Sequence, residues 1–143
     1  MREALRGRWL ISVVAALTTM SGFVADWNRT HLFNPRWSPH AKFHDAQTVL
    51  LGTFLGGGSL YILWRGEGDT ENHLNVSTFL LAAFWLAQGG SFLFPGTGGL
   101  ETEFPDKVPR IAGVRLNEAV SSSFMLGLLA LGYWMAHRDK TGK

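Results

Sequence analysis

The stretch AQTVLLGTFLGGGSLYILW, residues 46–64, decides the fold of this chain. It contains no charged side chain, and it is as long as a helix must be to cross a hydrocarbon core about 30 Å thick at about 1.5 Å per residue. A core helix of a soluble bundle would show a polar stripe at the 3.6-residue period, and this stretch has none wide enough. The stretch therefore predicts a membrane-spanning helix.

Three further runs, over residues 9–25, 76–95 and 119–136, have the same character. Together with the polar residues that lead into two of the runs, they predict helices near 9–25, 39–64, 76–95 and 117–136. Arg2, Arg6 and Arg8 could begin a signal peptide, but Asp26 and Trp27 follow the first run where small residues should mark a cleavage site. We therefore predict an all-α polytopic membrane protein, with one four-helix domain over residues 1–143.

Charge and composition exclude several classes of protein. The chain has no cysteine, which excludes disulfides, thiolate metal sites and cysteine nucleophiles, and it has no nucleic-acid-binding motif. Its net charge of +2 comes from Lys and Arg near helix ends, which suits lipid headgroups. The arginines before the first run favour a cytoplasmic location for both termini, because the first helix usually sets the orientation of a membrane protein.

An even number of spans places the first and third connections on the same side of the membrane. The second connection, RGEGDTENHLN, reads as a solvated turn, whereas the other two are longer and rich in aromatic and titratable side chains. The sequence therefore predicts that one end of the bundle carries the chemistry. The candidate acid–base residues are Asp26, His31, His40, His44, Asp45, Asn117 and Glu118. The candidate substrate-binding residues are Trp27, Trp37, Gln47, Trp85, Gln88, Ser121 and Phe124.

Helical phase groups some of these candidates. Ser38 and Pro39 read as the N-cap and first residue of the second helix. His40, His44 and Gln47 then fall at i, i+4 and i+7 on one face. A carboxylate at the start of a spanning helix, such as Glu118, should face the bundle interior. We predict that Asp26, His40, His44 and Glu118 form one group, in which His44 matters more than His40 because it lies one turn deeper.

The residues DWNRTHLFNPRWSPHAKFH, 26–44, resemble the signature of an uncharacterised family of small four-helix membrane proteins from fungi and bacteria. That resemblance covers the first half of the chain and implies no function. In general layout alone, the chain is similar to the emopamil-binding protein family of sterol isomerases. That similarity implies acidic and histidine side chains that move protons on a sterol double bond, beside a tryptophan that faces a cationic intermediate.

Three functions fit this pattern. The first is a membrane isomerase or cyclase that needs no cofactor and acts by acid–base chemistry on a sterol- or terpenoid-like molecule in a cavity walled by Phe54, Phe84, Trp85, Phe92 and Phe124. The second is a metal-dependent membrane enzyme with His40, His44, Asp26 and Glu118 as ligands. The third is a non-catalytic subunit of a homo-oligomer or larger membrane complex, which the glycine-rich second helix would serve. We favour the first.

Overall fold

Four helices form an up-and-down bundle. A computed structural model describes residues 2–141, and the side chains of residues 2–138. Its helices are α1 (Arg2–Ala25), α2 (Pro39–Trp64), α3 (Thr70–Gly90) and α4 (Glu118–Thr141). Each contains a segment long and apolar enough to cross a membrane. The all-α four-helix prediction is confirmed; Met1 and residues 142–143 of the predicted domain lie outside the described residues.

Helices adjacent in sequence also lie adjacent in space. α1 packs on α2 and α4, and α3 completes the square between the same two helices. The first connection (residues 26–38) and the third (residues 91–117) meet at one end, as predicted, whereas α1 begins at the other end beside the second connection. The third connection contains two 3₁₀ helices, Ser91–Leu93 and Leu100–Thr102, and a hairpin of β1 (Arg110–Ile111) with β2 (Val114–Arg115).

Small side chains set the contacts between helices. Gly52 and Gly56 are buried in α2 and face the backbone of α1, which is the packing role that a GxxxG pattern predicts. On the other side of α2, the Ser59 hydroxyl donates to the Ser77 carbonyl at 2.9 Å, and the Ser77 hydroxyl donates back to the Ser59 carbonyl at 3.1 Å. These contacts satisfy polar groups inside the bundle, where no water can do so.

The helix bounds partly match the prediction. α2 begins as predicted: the Ser38 hydroxyl accepts the Ala41 N–H at 3.2 Å, and Pro39 is the first helical residue. α1 starts earlier, at Arg2, because its first turns pack on α2 and α4, and hydropathy does not record that packing. α3, predicted over residues 76–95, begins at Thr70, after the cap Asp69, and ends at Gly90 before a 3₁₀ turn. Pro95 disfavours helix at the residue before it.

Candidate active site

A cavity of about 380 Å³ lies where the first and third connections meet, and residues of all four helices line it. We call it the connection pocket. Half of the predicted candidate residues line it: Asp26, His31, Trp85, Gln88, Asn117, Glu118 and Ser121. Trp85 is oriented by α1, because its indole N–H donates to the buried Thr18 hydroxyl at 2.9 Å. The structure thus brings polar side chains from both connections to one apolar space.

A chain of hydrogen bonds in the first connection fixes the His31 ring. The Thr30 backbone N–H donates to Asn28 Oδ1 at 2.8 Å, so this atom is the amide oxygen and acts only as an acceptor. The Thr30 hydroxyl lies 2.6 Å from the same oxygen and must therefore donate to it. Its lone pairs then face His31 Nδ1 at 2.9 Å. His31 therefore carries a hydrogen on Nδ1 and donates it to Thr30.

In this arrangement the other ring nitrogen of His31, Nε2, faces Asp26. The Nε2 atom lies 3.6 Å from Asp26 Oδ1, and both side chains are mostly buried, with 18% and 19% of their surface exposed. Because Nδ1 already holds its hydrogen, neutral His31 has only a lone pair at Nε2. A proton between the two residues then belongs either to Nε2, giving an ion pair, or to the carboxyl group, giving a neutral pair. Asp26 and His31 are therefore placed to exchange a proton once a small side-chain movement closes the 3.6 Å separation to hydrogen-bond distance.

The surroundings of Asp26 favour the protonated carboxyl group more than water does. Burial raises the pKa of Asp26 to about 6, against the opposing effect of His31, and the negative charges of Asp45 and Glu118 raise it further. Asp45 does not line the pocket, and its Oδ2 atom is buried without a hydrogen-bond partner. The pKa of Asp26 thus lies nearer to neutral pH than that of an ordinary aspartate.

This raised pKa predicts a pH-dependent stability. The folded chain holds the Asp26 proton more tightly than the unfolded chain does, so the free energy of unfolding should fall as pH rises from about 4 to about 6 and change little from this source above that. Asp26→Asn should remove this part of the decline. Unfolding titrations in detergent across this range test the prediction, with Asp106→Asn, an exposed aspartate of the third connection, as the matched control. Parallel curves for wild type and Asp26→Asn would contradict it.

Glu118 joins the third connection to the pocket. Its carboxylate oxygens accept the Leu100 N–H at 3.1 and 3.3 Å. The Gln88 amide N–H₂ donates to the Ser121 hydroxyl at 3.3 Å, which ties α3 to α4 at the same depth. Glu118 also lines two smaller cavities, of about 150 and 210 Å³, under the third connection. Glu118 therefore lies at the junction of all three spaces.

Polar contacts hold the third connection over the pocket. The Asn117 side chain accepts the Val120 N–H at 3.2 Å, as a helix cap, and donates to Glu101 Oε1 at 2.6 Å. That bond from Asn117 is the main reason why the pKa of Glu101 is lowered. Arg36 of the first connection reaches Glu103 of the third at 3.3 Å. Asn117, predicted as an acid–base residue, thus caps α4, which begins one residue later than predicted, and anchors the third connection.

The prediction that His40 and His44 join Asp26 and Glu118 is wrong. His40, His44 and Gln47 do share one face of α2, but that face is exposed on the outside of the bundle. His44 Nε2 lies 3.1 Å from His40 Nε2, and His44 Nδ1 lies 3.4 Å from Gln47 Oε1. Helical phase predicts which residues share a face but not the direction of that face, and the charge-free run of α2 from Ala46 onward has no polar stripe that would set that direction.

Several predicted binding residues also lie elsewhere. Trp27 and Phe124 are exposed on the outside, with 56% and 64% of their surface accessible, and Phe54 is exposed likewise. Trp37 packs edge-on against His31, with ring centroids 5.6 Å apart, and lines the neighbouring 210 Å³ cavity. Of the five predicted aromatic wall residues, Phe84 and Trp85 line the connection pocket, and Phe92 lines the 150 Å³ cavity. The pocket is therefore less aromatic than expected.

The four predicted metal ligands do not form one group. Within the described part of the chain, no group of three or more His, Asp or Glu side chains could hold a metal ion. His40 and His44 lie outside the pocket that Asp26 and Glu118 line. The set of His40, His44, Asp26 and Glu118 is therefore not a metal centre in this fold.

Thr30 and Lys107 were missed as site residues. Lys107 lies in an irregular loop and lines the pocket. No periodic pattern could have placed it there. For Thr30 a local signal existed, since an Asn two residues before a Thr is typical of a turn in which the Asn side chain accepts a backbone N–H.

The fold and pocket define a class: a four-helix bundle with membrane-spanning helices and a mostly buried Asp–His pair at one end. Residues 10–143 match the model of a family of unknown function, DUF6640, and the chain belongs to that family. No curated protein and no solved structure matches the chain. The prediction of an uncharacterised four-helix family is confirmed to this extent. The signature in residues 26–44 and the likeness to the emopamil-binding group stay predictions.

Proposed function

We propose that this protein is an integral membrane enzyme, with both termini cytoplasmic, that moves protons on a lipid-soluble, sterol- or terpenoid-like substrate as an isomerase or cyclase. One observation carries the proposal: the Asp26 carboxyl group and His31 Nε2 lie 3.6 Å apart at the wall of a pocket among four apolar helices. General acid–base catalysis needs a group that both gives and takes a proton near the working pH. Asp26, with a pKa of about 6, meets that need.

The pocket also supplies a second group for proton transfer. Moving a carbon–carbon double bond requires a proton to be added at one carbon of the double bond, which leaves a cation at the other, and a second proton to be removed from the carbon on the far side of that cation. Protonated Asp26 can deliver the first proton, which leaves an ionised carboxylate 3.6 Å from the lone pair of His31 Nε2. The Glu118 carboxylate lines the same space and can accept the second proton. Return of that proton from Glu118 to Asp26, by way of the His31 Nε2 lone pair, restores the starting state, so no net proton is consumed and the reaction needs no cofactor.

The apolar side chains that line the pocket indicate the class of substrate. Phe84, Trp85, Val108 and Leu116 line the pocket together with the polar groups. Pockets of this kind bury an apolar ligand body and orient it by a few polar contacts. The faces of aromatic rings also stabilise a developing carbocation. A ligand with a long apolar body and one reactive end near the helix ends suits this geometry better than a nucleotide or a sugar.

Two other functions remain as proposals of lower rank. A non-catalytic subunit of a larger membrane assembly would use the third connection as a docking surface, and the buried Asp–His pair would then have no reaction to perform. A metal-dependent enzyme would need ligands other than the predicted set, because His40 and His44 lie apart from the pocket carboxylates.

Deuterium incorporation tests the proposal across a whole class of candidate substrates. The purified protein is incubated in D₂O with a panel of unsaturated sterols and polyprenyl compounds, and mass spectrometry follows deuterium at carbon. We expect catalysed incorporation into at least one member of the panel. Lipid extraction of the same preparation should release an apolar molecule other than bulk phospholipid. Bulk phospholipid alone, with no incorporation and a stoichiometric protein partner, would favour the subunit function instead.

A further inference from the structure

We propose that His40 and His44 form a two-histidine chelate for a divalent transition metal ion, on the outer face of α2 and separate from the connection pocket. Both side chains are exposed, and their Nε2 atoms lie 3.1 Å apart. Two nitrogen ligands each about 2.0–2.1 Å from one Zn²⁺ or Cu²⁺ ion, at angles between square and tetrahedral, lie about 2.9–3.4 Å from each other. The spacing therefore already suits a shared ion.

Gln47 favours the tautomer of His44 that can bind a metal ion through Nε2. Its Oε1 atom lies 3.4 Å from His44 Nδ1, so the amide oxygen favours the hydrogen on Nδ1 and leaves a lone pair on Nε2. Metal-binding histidines commonly donate their other ring N–H in this way. Without an ion, the short contact between the two Nε2 atoms requires a hydrogen on one of them, and a metal ion would displace that hydrogen.

The position and chemistry of the pair favour a transition metal ion over Mg²⁺ or Ca²⁺. The charge-free run of α2 starts at Ala46, so the two histidines lie just before the segment that is apolar enough to enter a hydrocarbon core. Imidazole suits Cu²⁺, Zn²⁺ and Ni²⁺ better than Mg²⁺ or Ca²⁺. The chain supplies two ligands, which leaves the remaining positions of the ion open to water or to an anionic group from outside. The inference does not depend on the proposed acid–base function.

Titration with Cu²⁺ alone tests the chelate. The full chain in detergent, purified without a histidine tag, should bind one ion with an electron paramagnetic resonance spectrum that shows two imidazole nitrogens. Zn²⁺ should compete with it. His40→Ala and His44→Ala should each lose the two-nitrogen spectrum, and Gln47→Leu should weaken binding about tenfold. Circular dichroism and gel filtration establish that each variant is folded.

The controls separate this site from other histidines. The double variant His44→Ala, Ala46→His keeps the number of histidines but moves one to another face of α2, so it should lose the two-nitrogen spectrum. His31→Gln, in the connection pocket, should retain it. Absence of Cu²⁺ and Zn²⁺ binding in the wild type would overturn the proposal. An unchanged two-nitrogen spectrum in folded His40→Ala or His44→Ala would also overturn it.

Discussion

Asp26→Asn should lower the rate of deuterium transfer to a substrate by about 10²- to 10⁴-fold, the usual contribution of a general acid or base. Asparagine keeps the shape of the side chain but cannot exchange a proton with His31. Substrate binding should change much less than the rate, because the apolar lining of the pocket is untouched. Single-turnover mass spectrometry at saturating substrate measures the rate, and ligand titration measures the binding.

The matched control for this prediction is Asp106→Asn. It makes the same substitution in the third connection, which covers the pocket, but at an exposed aspartate that does not line the pocket. Its rate should equal that of the wild type. Full activity of a folded Asp26→Asn protein would show that the reaction does not need the Asp–His pair. The subunit function would then be the better proposal.

Thr30→Val separates positioning from proton transfer. Valine has nearly the shape of threonine but lacks the hydroxyl that accepts the hydrogen of His31 Nδ1 at 2.9 Å. The neutral ring can then carry its hydrogen on Nε2, facing Asp26. We expect a smaller loss of rate than in Asp26→Asn, together with a shifted pH–rate profile. An unchanged profile would indicate that Thr30 serves only the turn.

The sequence predicts where the site lies better than it predicts which side chains form it. The four apolar runs and their even number place Asp26, His31 and Glu118 at one end, because connections on the same side of a membrane must meet above the bundle. The spacing of His40 and His44 predicts their mutual contact, but not their direction. That direction depends on which face of α2 packs on α1, and small residues such as Gly56 decide it. For this reason the acid–base role predicted for His44 is proposed for His31, which lines the pocket, instead.

Irregular structure accounts for most of what the sequence could not predict. The tautomer of His31 follows from hydrogen bonds among Asn28, Thr30 and His31, which only the folded turn brings together. Glu118 meets the Leu100 N–H because the third connection folds back over α4. Such contacts join residues without any periodic signal in the sequence. Hydropathy and helical phase therefore predict which end of the bundle holds a pocket, but not the hydrogen bonds and tautomers within it.

Gly56→Ala should destabilise the bundle by about 1–3 kcal/mol, as overpacking of a tight interface does. A methyl group at this position would lie 2.6 Å from both the Ala15 carbonyl oxygen and the Thr19 nitrogen of α1. Both are backbone atoms, which cannot rotate away as a flexible side chain can. α1 and α2 would have to separate, and van der Waals contacts along their whole interface would weaken.

Gly57→Ala is the matched control, one residue along the same helix. A methyl group there meets nothing within 4 Å, so the substitution adds only the better helix propensity of alanine, about 0.5–1 kcal/mol in the stabilising direction. Unfolding of both variants in the same detergent at one pH gives the comparison, and the opposite signs of the two changes are the result to look for. Equal changes would mean that α1 does not pack on the Gly56 face of α2. The direction of the His40–His44 face, which follows from the same rotation of α2, would then also need revision.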